Sequence, residues 1–307
     1  MRRLCRSLIV VLVGIGTLLL PTVPAGAITG GTEDTANVYS NVGMLVFYQP
    51  DGRFRCSGTL IAPRVFLTAA HCAFQDIGKV AITFDPVISR TTEEAERDIP
   101  RAADDSGPDD AVSAIGYTPA DITPPKYAGE QTWYLGTART HPQYSDFTDL
   151  DNWNDTGVVI LDQAVTLPTT PIAPASYLDR YAQPALNSTE FLTIGYGTEV
   201  RQADSGPQTP TPMRQPIVRR YTTEIGQKLT DQILQLNGNE NDIRAGGGTC
   251  FGDSGGPAIR DGYVVGDTSY GYTSNCRYLG GYQRVDAPVV RDWLLDCLAD
   301  LVCATKE

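Results

Sequence analysis

GGGTCFGDSGGPAI (246–259) sets Ser254 among Gly252, Gly255 and Gly256, with Asp253 directly before it. Glycines around one serine let the backbone turn tightly and hold the hydroxyl outward. The same turn leaves the Gly252 and Ser254 N–H groups able to face a developing negative oxygen, as an oxyanion hole. A serine hydroxyl is a poor nucleophile until an imidazole takes its proton. The imidazole in turn needs a carboxylate that fixes its tautomer. The stretch therefore asks the rest of the chain for one histidine and one buried carboxylate.

The chain has two histidines. His71 ends an apolar run, TLIAPRVFLTAAHCAF, and is the expected base. His141, in ARTHPQY, is expected to be a surface or structural residue. Two histidines exclude a zinc site built from several of them; no metal or other cofactor is expected, and a structural calcium held by carboxylates stays open. Asp155, in NWNDTGVVIL, stands where an apolar strand begins and is the expected carboxylate. Asp146, Asp149 and Asp151 lie in a polar loop and read as solvated.

Short apolar, β-branched and aromatic runs recur between Gly, Pro and Asp turns: 42–48, 64–70, 79–84, 156–161, 191–197 and 263–269. They predict an all-β body. One helix is predicted, over 287–302, with Pro288 in its first turn and Val290, Trp293, Leu294 and Leu298 on a shared face. Two polar excursions interrupt the pattern, at 88–128 and 199–216. The first is acidic and rich in Pro and Ala, with too few apolar residues for a core of its own.

ITGG (28–31), SGTLIAPRVFLTAAHC (57–72), DTGVVIL (155–161), GDSGGP (252–257), TSYG (268–271) and GGYQRV (280–285) together resemble the chymotrypsin-like, or trypsin-like, secreted serine endopeptidases. The order His, Asp, Ser is also that family's. The resemblance implies two six-stranded antiparallel β-barrels with the active site in the cleft between them and a helix at the C-terminus. The first barrel is expected over about 28–150, the second over about 156–286. It implies a catalytic triad of His71, Asp155 and Ser254, with Ser269 supporting Asp155, and substrate backbone pairing along Tyr270–Gly271. It also implies bridges Cys56–Cys72 and Cys250–Cys276. Cys297 and Cys303 have no clear family equivalent, and their spacing permits a local bridge. Thr156 and Gly157 replace the usual Ile-Ala, and Tyr270 the usual Trp.

The specificity pocket implied by the resemblance involves Gly248, Thr249, Gly271 and Gly280, with Phe251 near its mouth. Gly248 stands where trypsin-like members carry the aspartate that binds Arg or Lys. An unpaired cation there would lose its hydration with little return. The expectation is an open, neutral pocket for a bulky apolar residue before the scissile bond, unless Asp242 or Asp267 approaches it.

Upstream, Arg2, Arg3 and Arg6 precede a 13-residue apolar run (Leu8–Leu20), and Ala25 and Ala27 form a small-residue cleavage site. That is a removable export signal over 1–27, shorter than the about 20 residues of a membrane span. Its loss takes three arginines and no acid, moving the formal charge from −12 to −15, and leaves six cysteines. An acidic, exported, cysteine-paired chain argues against nucleic-acid partners and a membrane anchor. Its expected place is extracellular and its partners a protein or peptide substrate and protein inhibitors. The resemblance gives the cut a second consequence: the new Ile28 ammonium would fold inward and pair with Asp253, so export itself would activate the enzyme. Thr29 replaces the usual Val, while Gly30 and Gly31 give a flexible approach. Two rivals use the same features: a catalytically silent binding protein, and an esterase with this triad.

Overall fold

The computed structural model describes residues 28–306 except 50–51, 92–93, 95–100, 103–121, 124–131, 150, 199–215 and 245. The expected signal segment and most of both polar excursions lie outside the described residues.

A short strand β1 (Thr32–Glu33) is followed by β2 (Val42–Gln49), β3 (Gly52–Ala62), β4 (Val65–Thr68) and β5 (Val80–Thr83). Three short strands come next: β6 (Val87–Ser89), β7 (Arg101–Ala102) and β8 (Ile122–Thr123). They lead to β9 (Trp133–Thr140) and β10 (Gly157–Leu161). The first barrel closes in the order β10-β4-β3-β2-β5-β9, antiparallel throughout. The second half contains β11 (Glu190–Gly195), β12 (Ile217–Val218), β13 (Arg220–Leu229), β14 (Ile233–Asn237), β15 (Pro257–Arg260), β16 (Tyr263–Gly271) and β17 (Leu279–Arg284). Pairing runs β13-β11-β15-β16-β17-β14 and returns to β13, a second closed six-stranded barrel, with β1 added beside β13. Helix α1 (Pro288–Asp300) ends the fold.

Two boundaries differ from the sequence expectation. The strand at 157–161 closes the first barrel instead of opening the second, and the residues at 32–33 join the second. The reason is packing. Val159 and Leu161 project into the first-barrel core with Leu45, Leu60, Phe66 and Ile82, while Val158 and Ile160 meet Trp293 and Leu294 of α1. The first excursion also begins as structure, since β6 pairs with β12 just beyond the second excursion.

Weak alternation in the apolar runs now has a cause. On β2, Leu45 and Phe47 face the barrel interior, while Met44, Val46 and Tyr48 pack against Tyr196 and Ile217 of the other half. A strand covered on both faces reads as a continuous apolar run. On α1, Val290, Trp293, Leu294 and Cys297 are buried, and Leu298 packs against the same cluster.

Bridges Cys56–Cys72, Cys250–Cys276 and Cys297–Cys303 are all present, with Cα separations of 6.3, 5.2 and 4.7 Å. No helix among the described residues is long and apolar enough to cross a membrane.

Candidate active site

His71 sits on a short 3-10 turn (Ala70–Cys72) just past β4, tied to β3 by the Cys56–Cys72 bridge. Asp155 lies two residues before the start of β10, which runs beside β4, so neighbouring strands of one barrel bring the two residues together. The His71 backbone N–H donates to Asp155 Oδ1 at 2.9 Å, and the ring Nδ1 lies 2.9 Å from Oδ2. The second barrel supplies the remaining support. Ser269 Oγ donates to Asp155 Oδ2 at 2.5 Å and accepts from Trp153 Nε1 at 2.8 Å. The Asp155 N–H donates to Gln283 Oε1 at 3.1 Å. Asp155 is fully buried, and its orientation is fixed from both barrels.

Burial pushes the His71 pKa down, but the charge and hydrogen bond of Asp155, with a smaller contribution from Asp146, outweigh it and raise the value. Asp146 accepts from the Tyr144 hydroxyl and Asp149 binds Asn152, so neither replaces Asp155 at the ring. His141 is a buried structural residue, the second of the two roles expected for it. Its Nδ1 accepts from the Gln143 N–H, its Nε2 lies 3.3 Å from Val289 O, and its ring packs on Trp293. Cys56, His71 and Cys72 form a metal-like cluster by proximity alone, because both sulfurs are consumed by their disulfide.

The Ser254 loop crosses to the His71 side of the cleft. Ser57 N–H donates to Ser254 O at 2.8 Å, and Thr68 Oγ1 donates to Ser57 O at 2.8 Å. No hydrogen bond joins the Ser254 hydroxyl to the His71 ring, a contact that in such sites tightens with substrate present. Gly252 has φ +94°, a conformation that favours glycine. The Asp253, Gly255 and Gly256 N–H groups bond to Cys250 O, Thr268 O and Asp253 O. Those of Gly252 and Ser254 have no acceptor among the described residues.

Asp253 is fully buried behind this loop. Its carboxylate accepts from Gly197 N–H at 2.7 Å and Cys250 N–H at 2.8 Å. Gly195 and Gly197 leave room for it: a Cβ on either would fall 2.1 or 2.3 Å from its oxygens. Burial pushes Asp253 up to about 7, against those two N–H groups and the charge of Arg55. Asp253 and Arg55 form no ion pair, and Asp253 has none with any described residue. Ile28 is fully buried, and Thr29 exchanges two backbone hydrogen bonds of 3.0 Å with Gly248. The segment 28–31 is thus docked a few residues upstream of Ser254.

A pocket of about 360 Å³ opens beside Ser254, lined by Thr249, Tyr270, Gly271, Gly280 and the Cys250–Cys276 bridge, with Phe251 at its edge. Gly248 does not line it; its backbone packs beneath the floor against Gly238. Tyr270 lies between Trp153 and Tyr272, tilted by 54° and 59° to their rings, and its own ring occupies the space a side chain at Gly281 would need. Neither Asp242 nor Asp267 reaches the pocket. Asp242 is bound by Arg244 and Asn237. Asp267 is buried, where desolvation and then the Asp155 charge raise its pKa well above the usual carboxylate range.

Sequence reasoning missed Glu224, which is fully buried near the pocket floor. Its signal was local: in RYTTEIGQKL, Thr222 and Glu224 share the phase of β13 that points inward.

The family model described as Trypsin matches residues 120–294, more than half of the chain. Trypsin Blo t 3 of Blomia tropicalis is 27% identical over 242 residues, covering 75% of this chain and 73% of that protein. Brachyurin of Leptuca pugilator is 27% identical over 274 residues, covering 87% and 96%. Among solved structures, HL collagenase superposes with a TM-score of 0.57 at 16% identity, covering 88% of this chain and 98% of that one. Human heparin binding protein gives 0.57 at 17%, covering 89% and 97%. These likenesses to solved structures share the two-barrel fold. The chain belongs to the trypsin family of chymotrypsin-like serine peptidases.

Proposed function

We propose that the chain is a secreted serine endopeptidase in which Ser254 is the nucleophile, His71 the general base and Asp155 the group that orients it. The observation that carries this reading is the Asp155 carboxylate, buried and bonded at once to His71 Nδ1 and Ser269 Oγ. With Nδ1–H held by Asp155, the His71 ring presents Nε2 as the acceptor for the Ser254 proton. Ser254 Oγ attacks the peptide carbonyl, and the oxyanion takes up the N–H groups of Gly252 and Ser254. In related chemistry one such donor lowers the barrier by about 3 kcal/mol. His71 then passes the proton to the departing amine, leaving an acyl-enzyme on Ser254. Water, deprotonated by the same nitrogen, releases the acid. The edge of β16 at Tyr270–Gly271 offers extended pairing to the substrate backbone. The uncharged pocket walls accept a bulky apolar side chain or stem before the scissile bond.

Removal of the signal between Ala27 and Ile28 completes the enzyme. Ile28 has φ +54°, strained for a β-branched residue. That torsion is defined by the preceding carbonyl and ceases to exist once the bond is cut. The freed ammonium gives buried Asp253 the cation it lacks, which holds the Gly252–Ser254 turn.

Assays of wild type and Ser254→Ala on casein and on a simple ester test this. Casein hydrolysis by wild type and none by the variant is expected. Ester cleavage without casein cleavage would make the chain an esterase, and no cleavage of either would leave a binding protein.

A further inference from the structure

The family's usual anion at the pocket floor is missing, because that position is Gly248. The same region nevertheless contains a carboxylate from another strand. Glu224 Oε1 accepts from Tyr282 Oη at 2.7 Å and Thr193 Oγ1 at 3.0 Å, while Oε2 is buried with no hydrogen-bond partner. No described cation forms an ion pair with it. Burial pushes Glu224 up to about 7, against Tyr282, Thr193 and the Thr249 N–H, with the Asp253 charge adding to the rise. A buried carboxyl held by neutral donors alone, with no cation paired to it, is unfavourable in its ionised form.

Glu224 does not itself line the pocket, but its neighbours Gly238 and Thr249 do. Gly238 lines the pocket, and a Cβ on it would stand 3.3 Å from Glu224 Oε2. Gly238 and Gly248 pack backbone to backbone, with Gly248 Cα only 2.9 Å from that same Cβ position. Two glycines therefore thin the floor where Oε2 lies. A polar relay runs alongside: Thr249 Oγ1, which lines the pocket, is 3.2 Å from Tyr282 Oη, which donates to Glu224. The apolar walls suit a long aliphatic stem, and the floor suits a positive end.

We propose that Glu224 is the specificity-determining anion of this pocket and selects substrates with Lys or Arg before the scissile bond. The proposal rests on the peptidase reading above. A substrate ammonium or guanidinium supplies the missing partner of Oε2, either directly or through the Thr249–Tyr282 hydroxyls. The stem of the side chain fills the space that the sequence alone assigned to an apolar residue.

The test is kcat/KM on matched peptides carrying Arg, Lys, Phe or Leu before the scissile bond, for wild type and Glu224→Gln. Gln keeps the size and the acceptor for Tyr282 but removes the charge. Wild type is expected to favour Arg or Lys over Phe by at least tenfold, and the variant to lose at least tenfold of that ratio. Because the variant could fail to fold, wild type is also titrated with benzamidine and its neutral analogue benzamide. Competitive inhibition by benzamidine at least tenfold tighter than by benzamide is expected. Preference of wild type for Phe or Leu, an unchanged ratio in the variant, or equal inhibition by the two compounds would overturn the proposal. Any of these results leaves casein hydrolysis dependent on Ser254 intact, so the specificity claim and the peptidase reading fail separately.

Discussion

Consider two chains carrying Ser254→Ala to prevent self-digestion, one beginning at Ile28 and one extended upstream to Gly26. In the extended chain Asp253 keeps only the Gly197 and Cys250 N–H groups and a non-contacting Arg55. Its pKa rises from 3.8 to about 7 on folding. At about 1.4 kcal/mol per unit, ionising it in the fold costs about 4 kcal/mol. The folded chain therefore holds a proton that the unfolded chain has released over about pH 4–7. Stability consequently falls as pH rises through that window and levels above it. In the Ile28 chain the ammonium lowers the folded pKa of Asp253 and removes the decline. Pairing raises the amine's own pKa, so its contribution is full below the ordinary value of about 8 and is lost as pH climbs through the raised one. The gap between the chains should open from pH 4 to 7, be widest near 7–8, and close at alkaline pH. For a domain of this size, about 4 kcal/mol corresponds to a melting difference on the order of 10 °C. Thermal melts at unit pH steps read it directly. Coincident melting curves from pH 4 to 8, together with equal casein hydrolysis by the two Ser254 forms, would refute the ion pair.

Asp155→Asn should lower kcat by about 10⁴-fold, since the amide holds the wrong tautomer. Because Asp155 raises the His71 pKa, its removal should also move the acid limb of the kcat/KM profile to lower pH; a limb that stays put would separate Asp155 from His71. Gly197→Ala places a methyl 2.3 Å from Asp253 Oδ2 and should cost about 1–3 kcal/mol by melting, along with most activity, whereas wild-type behaviour would remove Asp253 from that niche. Replacing Cys297 and Cys303 with Ser opens a bridge of sequence separation 6 at the end of α1. The expected loss is about 2 kcal/mol, with activity of the folded enzyme kept, and an unchanged melting temperature would refute that contribution.

Much of this was written locally in the chain. The Ser254 glycines, the strand-end placement of His71 and Asp155, and the Pro288 start of α1 are short-range signals. What escaped was long-range. Whether 157–161 closes the first barrel depends on which core accepts Val159 and Leu161, and neighbouring residues do not encode that choice. Which of its two expected roles His141 takes was not legible, because its covering ring, Trp293, lies far along the sequence. The floor carboxylate was half legible: the inward phase shared with Thr222 marks Glu224 as buried, but not what it lies beneath. Glu224 reaches this region from β13, and only the pairing of β13 with β14, and of β14 with β17, brings it under Thr249.

The most direct test of the central claim is covalent labelling of the purified chain beginning at Ile28 with a fluorophosphonate. One label per chain on Ser254, with casein hydrolysis lost in proportion and no label on Ser254→Ala, is the predicted result. A label on another residue, or a Ser254→Ala variant that still hydrolyses casein, would contradict it.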